Sequence, residues 1–161
     1  MSPVNNVTRF LDSQKVSYRA FETPREKLSA RETAEFLKVP PEIVFKTIVV
    51  TREKPKKPIL VLVPGENVVD LKLVAASLGE KKVHLPTERE AEGLTGLQAG
   101  GISPLALINK GFQVVIDSSA ENHPEIHVSG GQRGLNIKLS VADLIQLTKA
   151  RLASVSRAEN E

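Results

Sequence analysis

Residues 45–65 read FKTIVVTREKPKKPILVLVPG, and this stretch decides the class of fold. Two runs rich in apolar and β-branched residues, 45–51 and 59–63, flank a polar segment at 52–57. Such runs are typical of buried strands. A link this short joins antiparallel strands, because parallel strands need a crossover of about a dozen residues or more. The stretch therefore predicts a β-hairpin and argues against a doubly wound parallel sheet.

Helix and strand signals surround the hairpin on both sides. Helices are predicted where a capping residue precedes apolar residues at helical spacing. The predicted capping residues are Ser2, Ser29, Asp70, Thr87 and Ser140. We expect the first helix to end near residue 14, the fourth to end at residue 93, and the last to carry Leu152. Further strands are predicted over 17–22, 81–85, 112–117, 125–128 and 135–139. The pattern indicates an α+β domain with a curved, mixed or mainly antiparallel sheet.

Length and composition fit a single domain. The chain has 161 residues, of which 40% are hydrophobic and 25% charged, as is usual for globular proteins. We expect one domain over residues 1–153 and a polar C-terminal tail, 154–161, that frays. No apolar run approaches the roughly 20 residues that span a bilayer, and residues 1–14 lack the pattern of a secretory signal. We therefore expect a cytoplasmic protein with no membrane attachment.

Several kinds of site are excluded by the residues that the sequence lacks. There is no cysteine, which excludes disulfides, thiolate zinc sites and a protein thiol nucleophile. The three histidines, His84, His123 and His127, form no pair at metal-ligand spacing, and there is no Gly-x-Ser-x-Gly elbow. No metal and no organic cofactor are indicated. A hydrolase built from this sequence must take its nucleophile from water or from its substrate.

The charge is mildly basic and unevenly placed. The net charge is +3, and the segment from Lys46 to Lys82 holds eight basic and four acidic residues. A modest basic patch is compatible with a phosphate-bearing partner, and equally with a lysine-rich loop exposed to solvent.

Three segments could carry chemistry. Lys46 lies within a strand that is apolar on both faces, so its side chain either extends to solvent at the sheet rim or lines a pocket. The glycine-rich run at 96–104 can offer backbone N–H groups to an anion or an oxyanion, or can be an ordinary loop. The run at 129–134 is typical of a hairpin turn with an exposed arginine. The residue patterns alone leave these alternatives open.

Taken together, Phe45-Lys46-Thr47 and the segments 100–104 and 128–135 resemble, in order and spacing, the bacterial YbaK family of Cys-tRNA(Pro) deacylases. That family is related to free-standing Ala-tRNA(Pro) deacylases and to the editing insertion domain of prolyl-tRNA synthetase. The resemblance runs from the first predicted helix to the last. It implies a single α+β domain whose strongly curved, mixed but mainly antiparallel sheet is barrel-like and flanked by helices.

The resemblance also implies which residues act on the substrate. Lys46 and the backbone of Gly100 and Gly101 are the implied catalytic groups. The implied substrate-binding residues are Thr47, Ser103, Ser129, Gly130, Arg133 and Asn136. Leu97 and Asn136 depart from the tyrosine and aspartate that are common in the family at these positions, which leaves open the amino acid that the pocket prefers.

The implied reaction is trans-editing of mischarged Cys-tRNA(Pro). The thiol of the substrate, favoured as thiolate by the Lys46 ammonium, attacks its own carbonyl and leaves as a cyclic thiolactone. Alternatively, Lys46 only anchors the terminal ribose or phosphate. The implied partners are tRNA(Pro) and prolyl-tRNA synthetase, and the oligomeric state cannot be read from the sequence. Two other functions stay open: a deacylase of the same fold for Ala-tRNA(Pro) or another aminoacyl-tRNA, and a non-catalytic module that binds tRNA or a nucleotide.

Overall fold

The predicted hairpin is present in a computed structural model, which describes residues 4–53 and 56–159. The strands are β1 (Tyr18–Glu22), β2 (Phe45–Val50), β3 (Ile59–Pro64), β4 (Asn67–Val69), β5 (Gln113–Asp117), β6 (Glu125–Ser129), β7 (Leu135–Ser140), β8 (Arg151–Ala153) and β9 (Ser156–Ala158). The helices are α1 (Asn6–Ser13), α2 (Ala30–Leu37), α3 (Leu71–Leu78), α4 (Glu88–Thr95) and α5 (Val141–Thr148). Short 3-10 turns cover Pro41–Ile43, Pro104–Leu107 and Ser118–Asn122.

The described strands form three sheets. One is antiparallel, with strand order β1-β7-β6, and the smallest pairs β4 with β9. The third has the order β2-β3-β5-β8 and is mixed, since β3–β5 and β5–β8 are parallel pairs. A parallel bridge between Val44 and His127 joins the start of β2 to β6. The single α+β domain with a mixed sheet and flanking helices is confirmed. None of the described sheets closes on itself, so the barrel-like shape stays a prediction.

β3 lies at the centre of the packing because it is buried on both faces. Leu60 and Leu62 join the larger core, which includes residues of β6, β7 and α5. Ile59, Val61 and Val63 face the other way, into a second core with α3. A strand covered on both sides requires a continuous apolar run, which is what this stretch of sequence provides. β2 is the neighbour of β3 and one of the two edge strands of its sheet.

The helix starts follow their predicted caps with one exception. Side-chain caps are present at Ser29, Asp70, Thr87 and Ser140. The exception is α1, which begins after Asn5 in a capping box with Thr8, so the prediction that the helix includes Val4 is wrong. The predicted cap at Ser2 lies outside the described residues. No helix in the described part of the chain is long and apolar enough to cross a membrane.

Three predicted elements differ in extent from the structure. Residues 81–85 do not form a strand, and only His84 makes a β-bridge, to Thr51. α4 continues two residues past Gly93 and is capped by Gly96, whose φ of 72° allows the left-handed conformation. Leu152 belongs to β8, not to the last helix, because α5 ends at a left-handed Lys149.

The chain after Ala153 does not fray as predicted. Val155 is fully buried, its N–H donates to Asp117 Oδ1 at 3.0 Å, and its C=O accepts from the Asp70 N–H at 2.8 Å. β9 then pairs with β4. Residues 154–158 are therefore part of the fold. The sequence gives little sign of this, because a polar strand of three residues has no visible period.

Substitution of Val155 tests the role of this segment. Val155→Ala is expected to lower the free energy of unfolding by about 1–3 kcal/mol, because it removes fully buried apolar volume. Val4, with 66% of its surface exposed, provides the matched control, and Val4→Ala should change stability by less than about 0.5 kcal/mol. Urea unfolding measures both. Equal effects of the two substitutions would show that the C-terminal segment does not dock.

Candidate active site

A cavity of about 430 Å³ opens where β2 and β6 part. At the start of β2 the Val44–His127 bridge holds the two strands together, and just past its end Thr51 pairs with His84. Between these two points the outer edge of β2 has no strand beside it among the described residues. Residues 44–49 line the cavity along this edge. The cavity therefore occupies a gap in strand pairing.

The backbone of β2 offers hydrogen-bonding groups to this gap. Thr51 and His84 exchange two backbone hydrogen bonds of 2.8 Å each, on the side of the chain opposite β3. In a strand, the N–H and C=O groups of alternate residues point to the same side. The backbone groups of Thr47 and Val49 therefore also point away from β3. Both residues line the cavity, so a bound molecule can accept from their N–H groups and donate to their carbonyls.

The hydroxyl of Thr47 is the first of two unpartnered polar side-chain atoms. Its Oγ1 is buried and has no hydrogen-bond partner in the described part of the chain. A buried hydroxyl left unpaired costs about 1–3 kcal/mol. Thr47 lines the cavity, and a ligand there that bonded to Oγ1 would recover this cost.

Lys46 lines the same cavity and is half-buried. Burial lowers the pKa of its ammonium below the ordinary value, and the charge of Glu159 opposes this effect. No carboxylate of the described residues forms an ion pair with Lys46. A partly desolvated ammonium without a close counter-ion can bind an anionic group or a polar oxygen strongly.

One of the two glycines predicted to act as oxyanion donors lines the cavity. Gly100 lines the cavity with φ 88°, but Gly101 does not line it. The Gly101 N–H already donates to Gln98 O at 2.8 Å. The amide is thus engaged within the loop, and its role as a second oxyanion donor stays a prediction. Gly101 also has a packing role, because a Cβ there would lie 2.8 Å from Gln132 Cα.

The substrate-binding residues predicted from sequence fall into two groups. Ser129 and Asn136 face each other across the β6–β7 pair and line the cavity, as Thr47 does. Ser103, Gly130 and Arg133 do not line it.

Each of these three residues instead helps to hold a segment next to the cavity wall in place. Ser103 is fully buried, and its Oγ accepts from the Leu105 N–H at 3.1 Å. Gly130 forms the turn after β6, where its C=O accepts from Asn5 Nδ2 at 2.9 Å. Arg133 donates through Nε to Ala99 O at 2.7 Å, which fixes the residue before Gly100.

Sequence reasoning missed a second wall of the cavity. Residues 26–30 and 85–88 line it, and Lys27 Nζ lies 2.5 Å from Glu88 Oε2 in an ion pair. Both side chains are 54% exposed, so the pair contributes little to stability. No spacing in the sequence connects these two segments, because only the fold brings them together.

Alanine substitutions at two glycines distinguish a steric effect on stability, expected at Gly101, from an effect of chain entropy, expected at Gly93. Gly101→Ala is expected to destabilise the protein by about 1–3 kcal/mol, because its Cβ would press on the backbone of the 130–134 turn. Gly93 lies inside α4, and a Cβ added there would meet no atom within 4 Å. Gly93→Ala should therefore stabilise the protein by about 0.5–1 kcal/mol. Thermal unfolding of both variants checks the signs. A neutral Gly101→Ala would contradict the close approach of the two loops.

Comparisons with known proteins agree on one family. The profile of the aminoacyl-tRNA editing domain matches residues 25–147. A candidate Cys-tRNA(Pro)/Cys-tRNA(Cys) deacylase of Enterococcus faecalis, EbsC, is 32% identical over 156 residues, covering 96% of this chain and 94% of that protein. A proline–tRNA ligase of Thermodesulfovibrio yellowstonii is 26% identical over 143 residues, covering 83% of this chain. The match spans only 24% of the length of the ligase.

A solved structure shares the fold. The crystal structure of a candidate trans-editing enzyme for prolyl tRNA synthetase matches with a TM-score of 0.80 at 24% sequence identity. The match covers 97% of this chain and 100% of the other. At this level of identity the likeness establishes the common architecture.

Proposed function

The chain belongs to the aminoacyl-tRNA editing domain family, and we propose that its substrate is tRNA(Pro) mischarged with cysteine. Membership makes it a deacylase, which cleaves the ester between an amino acid and the terminal ribose of tRNA. The choice of cysteine is supported by the similarity to EbsC over nearly the whole chain. It is also consistent with the chemistry of the chain, which contains no cysteine, so that a thiol nucleophile must come from the substrate.

The observation that carries the proposal is the set of polar groups facing one cavity. The side chains of Lys46, Thr47, Ser129 and Asn136 and the backbone of Gly100 all line it. Apolar residues such as Phe45, Ile102 and Leu135 complete the wall. Cavities that bind small ligands commonly measure about 300–1,000 Å³ and combine an apolar lining with a few polar groups. This cavity has the size and lining to hold an aminoacyl group with part of the terminal adenosine.

The proposed reaction uses the thiol of the substrate as nucleophile. Cysteine has a pKa of about 8.5, and a nearby ammonium favours its thiolate. Lys46 supplies that ammonium. The thiolate sulfur forms a bond to the ester carbonyl carbon, the bond from that carbon to the ribose oxygen breaks, and the ribose hydroxyl gains the proton that the thiol lost. The products are a cyclic thiolactone and free tRNA.

The negative charge that develops on the carbonyl oxygen needs hydrogen-bond donors. With the Gly101 amide engaged, we assign this role to the Gly100 loop, the Thr47 N–H and hydroxyl, and the amide of Asn136, which belong to residues that line the cavity. The donors on β2 are part of a strand backed by the core, so they are held in place before the substrate arrives. Fixed donors of this kind lower a barrier without a cost of reorganisation during the reaction.

Editing after synthesis answers a problem of discrimination. Cysteine and proline differ little in bulk, and a difference of about one methylene is worth only about 1–3 kcal/mol to a binding pocket. A separate site that tests for a thiol discriminates by reactivity instead.

We further propose that the protein works in the cytoplasm beside prolyl-tRNA synthetase, which would hold tRNA(Pro), because the basic excess of this chain is too small for tight tRNA binding alone.

Replacement of Lys46 tests two things together: the role of this residue in deacylation, and the cost to protein stability of burying its ammonium. Lys46→Met keeps the length of the side chain and removes the charge. We expect deacylation to be lost while the melting temperature at pH 7 stays equal or rises. Burial lowers the pKa of Lys46, so desolvation of its ammonium is a cost to the folded state that Lys46→Met removes. In the wild type this cost is relieved as pH rises from the lowered pKa towards the ordinary one.

Lys72 provides the control, since it is an exposed lysine of α3 outside the cavity. Lys72→Met should leave both deacylation and melting temperature close to those of the wild type. Near-full turnover by Lys46→Met would overturn the assignment of the site.

A panel of charged tRNAs tests the nucleophile. The protein should release the cysteinyl group from Cys-tRNA(Pro), as the thiolactone, at least about 10²-fold faster than it releases alanine or serine from the same tRNA, because only cysteine carries an intramolecular nucleophile of this reactivity. Release of labelled amino acid under single-turnover conditions measures this. Equally fast release of alanine would favour the alternative deacylase of Ala-tRNA(Pro), with water as nucleophile.

A further inference from the structure

His127 is a buried titratable residue that the proposed reaction does not use. It lies on β6, is 1% exposed, and packs its ring 5.5 Å from that of Phe21. Its Nδ1 lies 2.7 Å from Asn136 Oδ1. Its Nε2 is the second buried side-chain atom without a hydrogen-bond partner in the described part of the chain.

The surroundings of the ring fix its protonation state. Burial lowers the pKa of His127; its bond to Asn136 and the Glu125 carboxylate act in the opposite direction, and the Lys138 ammonium adds to the lowering. The ring is therefore neutral at pH 7 and carries one proton. A buried N–H without an acceptor is rarer in proteins than an unpaired acceptor. The proton accordingly lies on Nδ1, where it has a partner, and Nε2 is the bare nitrogen.

This tautomer determines the orientation of the Asn136 amide. Because Nδ1–H is a donor, it must be met by the carbonyl Oδ1 of Asn136 and not by the NH2 group. The Nδ2 group then lies on the other branch of the amide. Asn136 lines the cavity although it is only 5% exposed, and Nδ2 has no hydrogen-bond partner among residues 4–53 and 56–159. Its two protons are available to a molecule in the cavity.

We propose that His127 is a positioning residue: it holds the Asn136 amide with its NH2 group toward the cavity, where this group donates to an oxygen of the aminoacyl ester. The inference rests on the proposed function for the identity of the ligand. The orientation itself rests only on the contacts of His127. Without the imidazole, the amide could turn over and present its carbonyl, which would repel the ester oxygen instead of binding it.

Two replacements of His127 distinguish orientation from packing. His127→Leu fills the space and removes the donor. His127→Asn is smaller but places an N–H donor close to the position of Nδ1. We expect His127→Leu to lower kcat for Cys-tRNA(Pro) about tenfold, the loss that follows from one misplaced hydrogen bond to a developing charge. His127→Asn should recover kcat to within about threefold of the wild type, although it leaves more empty volume and melts at a lower temperature.

A double-mutant cycle with Asn136 shows whether His127 acts through that residue. In an Asn136→Ala background, His127→Leu should cause no further loss of kcat, since no amide remains to be oriented. A residue that only packs would reduce kcat by the same factor in both backgrounds. That result, or a His127→Asn variant no more active than His127→Leu, would overturn the proposal.

The tautomer can be tested without any substrate. Nitrogen NMR of the labelled wild-type protein should show the His127 proton on Nδ1 at pH 7. A proton on Nε2 would overturn the proposal, even if the protein deacylates tRNA as expected. Conversely, a protein that shows the expected tautomer and releases no amino acid would contradict the proposed function and leave the amide orientation supported.

Discussion

The site depends on the pairing between the start of β2 and β6, which is limited to a single bridge. The Val44–His127 bridge joins the two sheets at one point, after which β2 leaves β6; just past the end of β2, Thr51 pairs instead with His84, which lies between α3 and α4. Backbone groups buried without partners are costly, and an open strand edge attracts whatever can pair with it. In this protein the open edge faces a cavity and not bulk solvent. The gap between the sheets thus becomes a binding site, lined by rigid strands.

Several polar groups that are buried without a partner or partly desolvated lie in or near this gap. Lys46 has a partly desolvated charge, the Thr47 hydroxyl has no partner, and the Nε2 of His127 is bare, while residues a few positions away pack in well-filled cores. Clusters of perturbed groups are characteristic of functional sites. A protein selected for stability alone would replace them with apolar residues. Lys46 and Thr47 line the cavity, and His127 contacts Asn136, which also lines it. This grouping indicates that stability has been given up for binding and catalysis.

The sequence predicted those features that depend on local chemistry. The hairpin and four of the helix caps follow from residue type and spacing, whereas only the resemblance to the YbaK family implied that Lys46 and Gly100 line one pocket. The roles of Gly101 and Arg133 could not be predicted, because they depend on the turn at 130–134 packing against the loop at 96–101. The ion pair between Lys27 and Glu88 and the docking of Val155 are likewise contacts between segments distant in the chain. Local patterns contain no information about such contacts.

The most direct test of the proposed site is a crystal structure with an adenosine that carries cysteine through a 3′-amide in place of the ester, which the protein cannot cleave. We expect the aminoacyl group to lie between the β2 edge and the Ser129–Asn136 pair, with its carbonyl oxygen at about 2.7–3.2 Å from donors of Thr47 or Asn136. Binding of the analogue elsewhere, for example in the polar depression between Gln14, just after α1, and Gln146 of α5, would contradict this assignment.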